Sequence, residues 1–396
     1  IDQRTAGMND ILQEPTPAAD DQPAAIDVTG SHEVAEYKHS KPLTCCRIDP
    51  TGRFVFAGAE DLNVYRWNLE TGRMMILAGH NSWVRSMDFS PDGQTLYTAG
   101  WDGELHWWQT DDPVPRSLRM VRAHRGFARW VRVSPDGTLL ATCGNDNMIR
   151  IWSAAAGELV AEMAGHERNP YAVDFHPDGT QLVSEDLMGN VMIWDLESFE
   201  HLETIPTVMT GYDTKFAADM GGARDMRFAL DGSVVVCAGI TNVVNSFAGQ
   251  QDPIFAVVDW ESRQVLRHLR PADNSAGIAW GVRFHPAGFI IGGVAKQSGG
   301  GLICFWHKDE AVTPVKLDKK DRKAPDLLKR QADKDPLAVK PFHTLEVNSC
   351  VRGLALAPDG QRLAAPCFDG SLRIFQMTAK VEEEKAEAKT GEKSEG

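Results

Sequence analysis

Asp88-Phe89-Ser90-Pro91-Asp92-Gly93 reads as the end of a strand running into a tight turn, and the chain repeats it six more times. The other copies are RIDPTG at 47–52, RVSPDG at 132–137, DFHPDG at 174–179, RFALDG at 227–232, RFHPAG at 283–288 and ALAPDG at 355–360. Proline, present in six of the seven, presets the turn backbone, and glycine accepts the positive φ that closes it, so each copy reads as a hairpin between two strands. The glycines stand 41, 44, 42, 53, 56 and 72 residues apart. A base period just above forty that grows only in later copies is that of a four-stranded propeller blade carrying insertions. The expected fold is therefore all-β, a seven-bladed propeller.

Each turn is followed by a second strand and then a third ending near an aromatic: Trp67, Trp108, Trp152, Trp194, Trp260, Trp306 and Phe375. These rings are placed to wedge between blades. The last repeat stops after its third strand, near 371–377, one strand short, while residues 32–40 carry a strand with no blade of its own. Pairing of 34–37 on the outer edge of blade seven would close the ring and leave no long unpaired edge.

In these motifs the chain resembles the WD40-repeat family. Gly79-His80 and Gly165-His166 match its GH dipeptide and Trp194-Asp195 its WD dipeptide, and the SPDG turns are typical of its bacterial members. The resemblance covers about residues 32–377. It implies a buried hydrogen-bond chain of His, Ser/Thr, Asp and Trp in each regular blade: His80, Thr98, Asp102 and Trp108 in the second, His124, Thr142, Asp146 and Trp152 in the third. The fourth has His166, Ser184 and Trp194 but Met188 where the aspartate belongs; the first has Asp61 and Trp67 but Ala57 at the hydroxyl position. An imidazole held between a hydroxyl and a carboxylate in such a blade is a satisfied core network rather than a catalytic triad.

Eight residues before each hairpin glycine lies the start of the innermost strand, at the channel rim in the family's geometry. The residues are Thr44, Arg85, Arg129, Tyr171, Arg224, Trp280 and Arg352. Trp83, Trp101, Phe127 and Phe368 add to the same, top face. Guanidiniums pair bidentately with carboxylate or phosphate and stack on rings, so this rim suits an acidic or phosphorylated segment. A second series, Arg47, Arg132, Arg227 and Arg283, lies five residues before the glycine, interspersed with Asp88 and Asp174, and reads as inter-blade ion pairing.

A net charge of −14 argues against general adhesion to DNA, RNA or anionic membranes, and no apolar run approaches bilayer-spanning length. Seven cysteines without a C-x-x-C fit neither a zinc site nor a disulfide framework, and free thiols point to a reducing, cytoplasmic setting; a chain starting at Ile1 leaves a removed leader open. No phosphate loop, H-E-x-x-H or G-x-S-x-G is present, so no catalytic residue, metal or cofactor is expected. Residues 1–31 read as a flexible acidic leader and 378–396 as a charged, flexible tail. Insertions fall at 210–222, 242–253, 296–301 and 307–341, the last lying in blade six and carrying eight basic and four acidic residues between 316 and 334. The function that follows is a non-catalytic protein-interaction scaffold binding an acidic partner at its top face. A permanent subunit of a larger complex and a channel-sited enzyme are the alternatives, and oligomeric state is left open.

Overall fold

The computed structural model describes residues 26–213, 217–245, 248–312 and 335–378. Their fold is a seven-bladed all-β propeller in which each blade is an antiparallel sheet built from the inside outward. Blade two is representative, running Val84–Phe89, Thr95–Gly100, Glu104–Gln109 and Ser117–Arg122 in sequence order. All seven hairpin glycines have φ between 70° and 86°, where a Cβ would be strained. The Ser-Pro-Asp-Gly turn is stapled by its own side chains: the Ser90 hydroxyl donates to Asp92 at 2.6 Å and accepts from the Thr95 N–H at 2.9 Å. Ser134 and Asp136 repeat the arrangement one blade on.

The core lies between blades rather than inside one. Two apolar faces of neighbouring sheets meet at each junction, with Phe56 of blade one and Trp108 of blade two buried in one cluster and Leu105 and Trp152 in the next. Trp67, Trp108, Trp152, Trp194, Trp306 and Phe375 are all buried, as wedge positions must be, whereas Trp260 is only partly covered and stacks on His176 of blade four at 5.2 Å.

The ring closes through the N-terminal strand. His32–Lys38 pairs antiparallel with Ser371–Gln376, from His32 opposite Gln376 to Lys38 opposite Ser371, and so becomes the fourth strand of blade seven. Arg373 fastens the join with ion pairs of 2.9 Å to both Glu33 and Glu36. Residues 26–31, placed with the leader by composition, instead include a 3-10 turn, Val28–Gly30, whose Val28 is buried against blades six and seven.

The insertions depart from simple loops. Residues 242–253 largely prolong a hairpin, since blade five's second and third strands run Val234–Asn245 and Gln250–Asp259. Within 210–222 a small hairpin, Tyr212–Asp213 with Ala218–Asp219, forms a two-stranded sheet of its own beside the second strand of blade five. The segment 307–341 does more than span two strands of blade six: Ala338–Val339 pairs parallel with Gln264–Leu269 as a fifth strand on blade five, before His343–Val347 returns to complete blade six. Asp335 anchors this detour, accepting from buried His268 at 2.8 Å and Arg270 at 3.1 Å. The basic stretch 316–334, the first part of the leader and all but the first residue of the tail fall outside the described residues.

Candidate functional site

The rim residues reach the channel through a backbone defect repeated around the ring. In six blades the innermost strand skips one residue of its register with the second strand, and the skipped residues are Thr44, Arg85, Arg129, Tyr171, Arg224 and Trp280. A bulge leaves its extra residue out of the ladder and re-aims the side chain, and here the bulge falls at the second residue of the innermost strand in blades one to five and at the fourth in blade six. Arg352 stands at the same point of blade seven, its N–H donating to the Pro366 carbonyl at 2.8 Å.

These side chains assemble into two stacks rather than an open ring of arginines. The first runs over blades two to five. Trp83 lies 5.0 Å from Trp101, and Trp101 is stacked on Phe127 at 4.8 Å. The Arg129 guanidinium follows, 4.8 Å from Phe127 and 4.1 Å from Tyr171, and Arg224 covers Tyr171 at 4.9 Å. The second spans the channel: Arg85 of blade two lies 4.7 Å over Trp280 of blade six, and Arg352 sits 4.7 Å over Phe368. Cation–π contacts of this kind contribute about 0.5–2 kcal/mol each, more as water is excluded.

Each guanidinium also has a polar anchor. Arg85 donates to the Thr44 carbonyl, Arg129 to Asn145 at 2.6 Å, Arg224 to the Gly221 carbonyl at 2.9 Å and Arg352 to Glu60 at 2.8 Å. Of the four, only Arg352 is anchored on a carboxylate. Burial above all, and then the guanidiniums of Arg352, Arg129 and Arg224, push Arg85 down to about 10, with only Cys45 opposing. The top face is a rigid, positively biased surface of stacked rings, with Phe368 half exposed at its edge and the buried Trp101 indole N–H lacking an acceptor among the described residues.

The blade networks sit behind this face. His80 bonds Thr98 through Nε2 and Asp102 through Nδ1, both at 2.8 Å, while Trp108 donates to the same threonine oxygen at 2.9 Å. Because the carboxylate can only accept, Nδ1 carries the hydrogen that bonds it, and in the neutral imidazole Nε2 accepts from the Thr98 hydroxyl. His124, Thr142, Asp146 and Trp152 repeat the geometry with 2.8, 2.9 and 2.9 Å. In blade four the carboxylate is not missing: Asp186, two residues before Met188, accepts from His166 Nδ1 at 3.1 Å. In blade one His39 lies 3.2 Å from Asp61, whose carboxylate also accepts from the Tyr65 hydroxyl at 2.5 Å. Both substitutes escape a search at fixed spacing, because Asp186 comes from the last position of its strand and His39 precedes the first turn.

Burial works against ionising Asp146, yet hydrogen bonds from His124 and the Arg125 N–H, with Arg150 beside it, hold its carboxyl well below the usual range. Replacing Asp146 by alanine strands the His124 donor and the Arg125 N–H, and should cost about 1–3 kcal/mol in a denaturant titration. Unchanged stability would mean that the network is not a scaffold element.

One group of possible metal ligands occurs among the described residues, His80, Glu104 and His106, with ligand atoms within 4.8 Å of one another. Both nitrogens of His80 already serve the network, and those of His106 bond Ser117 at 3.0 Å and Glu104 at 3.1 Å. The group reads as an extension of the polar core.

Comparison with known proteins gives a match to the WD40 family, described as WD domain, G-beta repeat, over residues 32–68, 72–109, 115–153, 157–195 and 339–376. The first four stretches fall on blades one to four with the closing strand, and the fifth mainly on blade seven; the centre of the chain, with blade five and most of blade six, lies outside them. Transcription initiation factor TFIID subunit 5 of Caenorhabditis elegans is 30% identical over 176 residues, 44% of this chain and 27% of that protein. A periodic tryptophan protein 2 homolog of Neurospora crassa is 27% identical over 208 residues, 50% of this chain and 18% of that protein. An uncharacterized WD repeat-containing protein of Schizosaccharomyces pombe is 27% identical over 246 residues, 58% of this chain and 65% of that protein. The chain thus spans less than two thirds of the length of each of these relatives. All three are eukaryotic and give no support to the bacterial affinity suggested by the SPDG turns.

Proposed function

This chain is a WD40-repeat propeller, and from that premise we propose that it is a non-catalytic interaction platform whose top face captures an acidic or phosphorylated segment of a partner protein. The observation that carries the reading is the stack Trp83, Trp101, Phe127, Arg129, Tyr171 and Arg224, continued across the channel by Arg85, Trp280, Arg352 and Phe368. Aromatic and arginine side chains held rigid before binding lose little entropy on contact, which is the composition of interaction hot spots. Four guanidiniums, only one of them paired with a carboxylate, favour an anionic partner, and the net charge of −14 over the whole chain disfavours nucleic acid. Seven free thiols support a reducing, cytoplasmic setting. Among the described residues no helix is long and apolar enough to cross a membrane.

A second reading, a permanent subunit of a larger assembly, is favoured by the name of the TFIID relative, which describes that protein as a subunit. The insertion 307–341 is the segment we assign to holding it in such an assembly.

Capture on immobilised protein tests the platform. Arg129→Gln with Phe368→Ala removes one guanidinium and one half-exposed ring without breaking an ion pair, so captured partner should fall about tenfold while the melting temperature drops by only a few degrees. Capture by the unaltered protein should weaken between low and physiological salt. Equal yield from the double variant would refute a top-face site. Arg85 is the poorer probe, since its guanidinium is part of the channel closure.

A further inference from the structure

The opposite end of the channel is a funnel of about 570 Å³, floored by the arginine and aspartate series and walled by the hairpin prolines and Leu230. Going round the ring, the positions five residues before the glycine read Arg47, Asp88, Arg132, Asp174, Arg227, Arg283 and Ala355. Charge alternates as far as blade five and then fails: blade six brings a second arginine in succession, blade seven a methyl group, and blade one an arginine again.

Each aspartate of the series does two things. It faces arginines, as Asp174 does Arg132 at 3.2 Å and Arg227 at 3.6 Å. It also accepts from the innermost strand of the next blade: Asp88 from the Val133 N–H at 3.1 Å and Asp174 from the Phe228 N–H at 2.9 Å. Arg283 finds a carboxylate one level deeper, Asp225 at 2.5 Å, which also takes Arg132 at 3.2 Å. Arg47 finds none within hydrogen-bond reach. Its Nη1 donates to the Cys46 carbonyl at 3.0 Å, Asp88 stands 3.9 Å away, and its buried Nε has no acceptor among the described residues. Burial, then the guanidiniums of Arg283, Arg227 and Arg132, press the Arg47 pKa well below its ordinary value, with Asp88 opposing. By the register that aims Val133 and Phe228, the Ile48 N–H faces Ala355, which offers it only a methyl.

We propose that this end of the channel is a second binding site, where a ligand carboxylate sits over Ala355 between Arg47 and Arg283, accepts from the Arg47 guanidinium and the Ile48 N–H, and lays a short apolar stem against the proline and Leu230 walls. The ligand class is a monocarboxylate on an apolar body, supplied as a free small acid or as the C-terminus of a peptide. A carboxylate there supplies the anion missing between Arg283 and Arg47, and the site is independent of the stacks on the top face.

Titration calorimetry of the full chain with hexanoate, with hexanol as the uncharged match, tests it. Hexanoate should bind saturably and at least about tenfold more tightly than hexanol, the difference expected of charge-assisted hydrogen bonds. Ala355→Asp supplies the carboxylate in cis; it should abolish hexanoate binding and raise the melting temperature by about 1–3 °C. Arg47→Gln removes the cation instead and should also abolish hexanoate binding, which keeps the test open if the aspartate variant does not fold. An acetylated tripeptide ending in leucine, as free acid and as amide, separates the sources: preference for the peptide acid over hexanoate assigns a peptide terminus, and the reverse assigns a small acid. Equal affinity for hexanoate and hexanol, or hexanoate binding that survives both substitutions, overturns the proposal. Arg129→Gln with Phe368→Ala should leave hexanoate binding intact, so failure here and failure at the top face are told apart.

Discussion

Deleting residues 1–41 will lower the melting temperature by about 10 °C or more, whereas deleting 1–30 will cost only a few degrees. The longer deletion removes the whole strand His32–Lys38, and with it six paired positions along Ser371–Gln376. It leaves the third strand of blade seven as an unpaired edge and takes away two of the three acidic partners of Arg373, leaving Asp369. Tyr37, whose ring stacks on Trp67 of blade one at 6.0 Å, goes with it, so the junction between the last and first blades loosens as well. Each backbone hydrogen bond contributes roughly 0.5–1.5 kcal/mol net, and several fail together. The shorter deletion removes chiefly the packing of Val28, about 1–2 kcal/mol. Differential scanning calorimetry of the two truncations decides the matter: equal melting temperatures would mean that the ring does not depend on this closure.

The second large effect lies in Glu185, a fully buried carboxyl in blade four. Burial pushes its pKa up to about 8, and Asp186 adds to the rise, while contacts with Cys237, Arg224 and Thr207 restrain it. In the unfolded chain the group titrates near 4.5. Below that pH both states hold the proton and the stabilisation is fully present. As pH rises from about 4.5 to about 8 the unfolded chain ionises first, and stability falls by about 1.4 kcal/mol per pH unit from this group alone. Glu185→Gln keeps the shape without the charge. It should remove that slope and make the variant more stable than the parent at pH 8 by an amount on the order of a few kcal/mol. Denaturant melts of both proteins from pH 5 to 8 measure it, and parallel curves would show that Glu185 is ionised in the fold.

How much of this was readable in the sequence follows from the range of each signal. The turn motif is local, since proline, aspartate and glycine act on their own backbone, so blade count, ring closure and the rim positions could be derived by counting from Gly93 and its equivalents. The bulges that aim Arg85 and Arg129 into the channel have no comparable signature, because a skipped register depends on the strand opposite. Asp186 has no signature for the same kind of reason: a carboxylate supplied from a strand end satisfies His166 as well as one from the loop. The fifth strand on blade five was out of reach, since Ala338 meets His268 only through a parallel pairing that no turn announces. The Arg47 series could be listed by position, but its broken alternation acquires meaning only once Ala355 is seen to lie between Arg283 and Arg47 in the closed ring.

The central claim is that partners dock on the face carrying the aromatic and arginine stacks. Site-specific photocrosslinking measures this most directly, with benzoylphenylalanine placed at Phe368 on that face or at Leu230 on the opposite one, both side chains being exposed by 51% and 70%. Irradiation in native extract should yield a crosslinked partner from position 368, and the yield should fall when Arg129→Gln is added. Crosslinks from position 230 alone would contradict the account.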